Sequence, residues 1–289
     1  MMVNVLVIAT ITLILSLFHV PARIGGNNFG GLLIFCFLWG MVGSFISLML
    51  SRVMAKWLQG VKVIDPNTTD PTARRLVDTV YQLARNAGLK TMPEVGYYES
   101  PEVNAFATGP SRSRALVAAS TGLLNNMNQS QVEGVLGHEC AHIANGDMVT
   151  MTLIQGVVNA FVMFFARIVA LALTQGGSRD ENRSPFAYYM LVQVFQIVFS
   201  VFGMIVICWF SRWREFRADA GGARFAGREK MISALRALQA FHEHGMDQAG
   251  KQQPAFQSLK ISGSTNAFLS LFATHPPLEE RIARLEQGA

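Results

Sequence analysis

The chain has 289 residues, 51% hydrophobic and only 15% charged, with a mean hydropathy of +0.29. Soluble domains carry about 25% charged residues, and disordered chains combine low hydrophobicity with high charge, so both classes are excluded. The net charge of +5 comes without a basic stripe interleaved with aromatics, so no nucleic-acid partner is expected and the positive charge suits a membrane surface.

Four apolar blocks organise the chain. Residues 3–20 and 31–50 form the first two, and residues 151–174 and 187–210 the others. A spanning helix needs ~20 apolar residues at 1.5 Å rise, so four transmembrane helices are expected. No Lys or Arg precedes the first block, so it reads as a span and not as a cleaved leader, despite the small residues at Val20-Pro21-Ala22. The third block carries Arg167. A charge is costly in lipid, and Arg167 is expected to snorkel to the far surface in preference to facing the bundle interior.

Lys and Arg beside the spans set the orientation. Arg52, Lys56, Lys62, Arg212, Arg214 and Arg217 lie on one side, against Arg23, Arg179 and Arg183 on the other. Both termini and the two polar regions, 52–150 and 211–289, are therefore expected in the cytoplasm. The domain order that follows is two spans in 1–51, a first soluble part in 52–150, two spans in 151–210 and a second soluble part in 211–289. The fold class is a mainly α membrane protein with four transmembrane helices and a cytoplasmic α+β domain. Cys36 and Cys208 lie inside apolar runs, and three cysteines make no disulfide framework, which fits a reducing compartment.

Within the soluble parts, residues 72–88 have helical spacing, with Leu76, Val80 and Leu83 on one face. Residues 94–98 and 115–119 read as strands, with Asn104 to Gly109 between them. A helix is predicted from residues 128–130, with Ser130 and Glu133 as a capping box, to the stop at Asn145-Gly146. Residues 229–244 and 277–287 read as two more helices, and 245–264 as a polar, mobile stretch.

The chemistry lies in His138-Glu139-Cys140-Ala141-His142, an H-E-x-x-H pattern. Histidines at i and i+4 share one helical face and can ligate one metal ion. Glu139, turned about 100° from His138, can reach a water without being a ligand. Taken alone, the pattern fits two surface histidines on an ordinary helix as well as it fits a metal site. A third ligand is needed, and Glu215 and Asp219 offer another i, i+4 pair directly after the fourth block. Glu215 can complete the ligand set, and Asp219 can orient a ligand imidazole. The charge-based topology puts His138 and Glu215 on the same side of the membrane.

These motifs, with Asn104 to Gly109 and the segment His275 to Arg281, resemble the HtpX family of bacterial membrane-bound zinc metalloproteases, relatives of the CaaX prenyl endoproteases. The resemblance covers essentially the whole chain. It implies a zincin-like (gluzincin) domain facing the cytoplasm from the inner membrane. It also implies endoproteolysis of misfolded or damaged membrane proteins, in quality control and stress response. On the matching positions it implies one zinc ion per chain held by His138, His142 and Glu215, with Glu139 as general base. It further implies that Asn104, Ala105 and Phe106 hold an extended substrate, that His275 stabilises the oxyanion, and that Arg281 supports that site.

Cys140 reads as a small buried filler, and His242-Glu243-His244 as a solvated helix end, because i and i+2 face apart. A non-catalytic zinc scaffold is the competing reading, and Glu139 speaks against it, since metal binding alone does not need that carboxylate. A metal transporter would need ionisable residues in several spans, and only Arg167 is present.

Overall fold

The computed structural model describes residues 29–175, 185–252 and 273–288. The expected span 3–20, the flanking Arg23, Arg179 and Arg183, and residues 253–264 lie outside the described residues. The chain divides into two compact units, Met1–Leu48 with Thr150–Trp209, and Met49–Val149 with Phe210–Ala289.

Among the described residues, three helices are long and apolar enough to cross a bilayer: α1 (Phe29–Leu58), α5 (Asp147–Gln175) and α6 (Pro185–Ala226). They coincide with the second, third and fourth apolar blocks. Each also runs beyond its block, and the 42-residue α6 carries Glu215 and Asp219 on the same unbroken helix. In the first unit, small residues let α1 and α5 approach closely, the usual device where lipid removes any hydrophobic drive between helices. A Cβ on Gly40 would lie 2.7 Å from the Gly156 carbonyl oxygen. Leu32, Cys36 and Met163 form a buried cluster there, while Phe37, Leu38, Ile197 and Phe202 are exposed.

Arg167 corrects the snorkelling expectation. It is only 2% exposed, and its Nη1 donates to the Met163 carbonyl at 2.9 Å, one turn back on its own helix. Packing holds the guanidinium inside the bundle and replaces one hydration contact with a backbone acceptor.

In the second unit, β1 (Lys62–Val63), β2 (Glu94–Tyr98), β3 (Ala105–Thr108) and β4 (Leu116–Ser120) form a sheet in the order β1-β2-β4-β3. The β2 and β4 strands are parallel, and the outer strands pair antiparallel to them. The expected strands are present, with β4 shifted by one residue. Strand β3, within the 104–109 segment, lies at an edge.

Helix α2 (Pro71–Asn86) starts where the Asp70 side chain accepts from the Thr72 N–H and Pro71 pre-sets the backbone. It buries Leu76, Val80 and Leu83, the expected face. A short α3 (Thr121–Asn126) leads into α4 (Gln129–Asn145). The capping box of α4 is Asn128 with Gln131, not Ser130 with Glu133. Asn128 is the residue with extended backbone, so Ser130 already lies inside the helix, and Glu133 is free to pair with Lys230. Gly146 ends α4 in the left-handed conformation at φ 73°, as the Asn-Gly stop predicts. Helix α7 (Arg228–Gln252) runs beyond the expected 229–244, so residues 245–252 are helical and not a loose stretch. Helix α8 (Leu278–Glu286) matches the last expected helix.

Glycines set how close α4 lies to its partners. A Cβ on Gly222 of α6 would lie 3.0 Å from the His138 nitrogen, and one on Gly134 would lie 2.5 Å from the Lys230 carbonyl oxygen. Gly134→Ala is therefore expected to destabilise. Helix preference favours Ala by about 0.5–1 kcal/mol, but overpacking against a rigid backbone costs about 1–3 kcal/mol. A lowered unfolding midpoint in detergent, with metal content unchanged, checks it.

Candidate metal centre

His138 and His142 project from α4 into one spot. Their Nε2 atoms are 3.1 Å apart. Glu215, fully buried on α6, faces both: Oε2 is 3.4 Å from His138 Nε2 and Oε1 is 3.4 Å from His142 Nε2. The three ligand atoms lie within 4.8 Å of one another. The spacing i, i+4 fixes the histidine pair, and the close approach of α6 at Gly222 lets a carboxylate from a distant stretch of chain reach it.

Both imidazoles are held from behind. His138 Nδ1 lies 2.9 Å from Asp219 Oδ1, the orienting contact expected of Asp219. Arg281 forks onto the same carboxylate, with Nε donating to Oδ2 at 2.8 Å and Nη2 to Oδ1 at 2.6 Å. His142 Nδ1 lies 2.7 Å from Asp147 Oδ2. Sequence reading missed Asp147. Its signal was an acidic residue directly after the Asn145-Gly146 stop, where the chain turns back on the last turn of α4.

The charges of the cluster are mutually dependent. Burial alone would push the His138 imidazolium down, but the carboxylates of Asp219 and Glu215 overcome this and raise its pKa to about 9. Burial likewise opposes, and Asp147 and Glu215 outweigh it to raise, the pKa of His142. Burial works to raise Glu215, yet hydrogen bonds from His138, His142 and His275 hold its carboxyl well below the usual carboxylate range. Asp219 is lowered too, because Arg281 and His138 outweigh its burial. Once the imidazoles give up their Nε2 protons to an incoming cation, two Nε2 lone pairs and one ionised carboxylate are the donor chemistry of a three-ligand site with a position left for water. The residues therefore fit a divalent metal ion.

A cavity of about 140 Å³ adjoins the cluster, and Asn104, Ala105, His138, Glu139, Glu215, His275 and Arg281 are among its walls. Glu139 is half-buried there. Asn104 and Ala105 bring the β3 edge to the cavity, whereas Phe106 packs on Tyr98 with ring centroids 5.6 Å apart, on the far face of the strand. His275 is brought in from the C-terminal segment: its Nδ1 lies 2.9 Å from Glu215 Oε2, and its side chain is 63% exposed. Arg281 is buried and engaged with Asp219, with Nη2 3.9 Å from Glu215 Oε2. Cys140 is fully buried in the core, and burial, aided by the Glu139 charge, pushes its thiol up to about 12. It is an inert filler, as read. The side chains of His242, Glu243 and His244 lie outside the described residues.

The family model for peptidase family M48 matches residues 70–289. The Protease HtpX homologs of Bacillus pumilus and Bacillus subtilis are 51% and 49% identical, each over 98% of this chain and 96% of their own. Protease HtpX of Idiomarina loihiensis is 47% identical over 98% of this chain and 96% of its own. Among solved structures, the crystal structure of S. mikatae Ste24p has a similar fold, with a TM-score of 0.59 at 17% identity. That match covers 95% of this chain, which spans 65% of the length of that protein. Near-full-length identity to these relatives and the family match show that the chain belongs to peptidase family M48, as a membrane metalloprotease of the HtpX type.

Proposed function

We propose that the chain is a zinc-dependent endoprotease with its active site at the cytoplasmic face of the bacterial inner membrane. Its substrates in this reading are misfolded or damaged membrane proteins, and its setting is stress response. The convergence of His138, His142 and Glu215 to within 4.8 Å is the observation that carries the reading. These three residues hold one zinc ion per chain. Bound there, zinc supplies Lewis acidity, polarising a carbonyl and bringing a water's pKa toward neutrality.

The chain's own groups do the rest. An extended polypeptide pairs its backbone with the free edge of β3 at Asn104, Ala105 and Phe106, the strand-addition mode of peptide recognition. Glu139 accepts a proton on its carboxylate as water attacks the scissile carbonyl, and returns it to the leaving amine. His275 stabilises the negative charge that develops on the carbonyl oxygen. Arg281 and Asp219 keep His138 in register.

The test is cleavage of an unfolded protein by metal-stripped material in detergent. Activity should vanish on stripping and return with one equivalent of zinc. Activity that persists without metal rejects the reading. Orientation is tested separately by labelling intact cells with an impermeant thiol reagent. Cys36, Cys140 and Cys208 are buried, so background should be low. Ser178→Cys should label and Ser262→Cys should not, and the opposite pattern inverts the orientation.

A further inference from the structure

We propose that Asp147 is a positioning residue of the metal centre. Its carboxylate fixes the tautomer and ring orientation of His142. This rests on the reading of His138, His142 and Glu215 as metal ligands.

Asp147 Oδ2 lies 2.7 Å from His142 Nδ1, with Asp147 only 3% and His142 only 9% exposed. An ionised carboxylate can only accept, so Nδ1 of His142 carries the proton and donates it. A neutral imidazole protonated there keeps its lone pair on Nε2. That is the atom 3.1 Å from His138 Nε2 and 3.4 Å from Glu215 Oε1. The other tautomer would present an N–H where a cation must bind.

The backbone explains how a residue at i+5 reaches this ring. On a continuous helix it would lie about 140° round from His142. Gly146 instead turns the chain at φ 73°, a conformation that a side chain would strain. Asp147 then opens α5 as an acidic residue of its first turn, where the helix dipole favours a carboxylate.

The two supporting carboxylates differ in what else they hold. Asp219 divides its charge between His138 and the fork of Arg281. Among the described residues, the ion-pair contact of Asp147 is with His142, and no Lys or Arg joins it. A substitution at Asp147 therefore disturbs the contact to His142 without breaking an arginine fork.

The experiment measures zinc affinity of the full-length, metal-stripped protein by competition with a chromophoric chelator, beside its unfolding midpoint. Asp147→Asn keeps the shape but offers either an uncharged oxygen or an NH₂ group, which drives the proton to Nε2. It should weaken zinc binding about 10–100-fold. Asp147→Ser keeps a good helix start but has too short a side chain to reach the ring, and it should lose at least as much. Parent affinity in Asp147→Asn or Asp147→Ser, at an unchanged midpoint, overturns the positioning role. Parent affinity in His142→Ala shows instead that His142 is no ligand, so that the reading beneath fails and the proposal with it.

Discussion

Replacing Glu139 by Gln is expected to leave zinc bound and the fold intact while turnover falls about 10²–10⁴-fold, the usual share of positioned proton transfer. Glu139 lies on the same cavity wall as His138 and Glu215, yet it is absent from the three-atom ligand cluster. The substitution preserves side-chain size and removes only the ability to take a proton. The decisive pair of measurements is zinc stoichiometry and the rate of cleavage of an unfolded test protein. A rate within a few-fold of the parent at full zinc content would remove Glu139 from the chemistry. Zinc loss in this variant would instead make the residue part of the binding shell.

Glu215→Ala should have the largest effect on the metal itself. Residues that merely support a ligand change affinity by about 10–100-fold, so loss of a ligand carboxylate should exceed that range. The damage is not confined to binding. Glu215 is fully buried and faces His138, His142 and His275, with Arg214 donating to its Oε1 at 3.2 Å. Removing one partner from a buried charged cluster typically costs about 3–5 kcal/mol, because the remaining groups lose their compensation. The metal-stripped variant should therefore unfold at a lower temperature than the stripped parent, and added zinc should rescue it poorly. Tight stoichiometric zinc in a well-folded Glu215→Ala protein would take Glu215 out of the ligand set. Glu215→Gln separates the two effects, since it fills the same volume without the charge.

Much of the architecture follows from short-range pattern. Apolar runs of span length, the Leu76, Val80 and Leu83 stripe of α2 and the Asn145-Gly146 stop depend on hydrophobic burial and backbone conformation within a few residues. The H-E-x-x-H spacing puts two imidazoles one turn apart on any helix that forms there, whatever surrounds it. Glu215 was legible as a candidate for the same reason, because its spacing to Asp219 places both carboxylates on one face. The capping box failed on a one-turn ambiguity. Asn128, Ser130, Gln131 and Glu133 offer overlapping pairs, and only the extended backbone at Asn128 selects among them.

What tertiary structure decided is which groups meet, since contact between residues far apart in the chain has no local signature. Arg167 has the length to snorkel, and packing turns it inward onto Met163. Arg281 lines the cavity, and α8 also delivers its guanidinium to Asp219 as a buried fork. Asp147 has no local mark beyond following the Asn145-Gly146 stop, and the left-handed turn at Gly146 brings it back to His142. Local sequence thus determined the helices, the three apolar spans among the described residues and the type of each candidate ligand, because propensity and periodicity act over one or two turns. The fold alone fixed the orientation and partners of those side chains, because hydrogen bonds between buried groups depend on helix approach distances, here set by glycines such as Gly222 against His138.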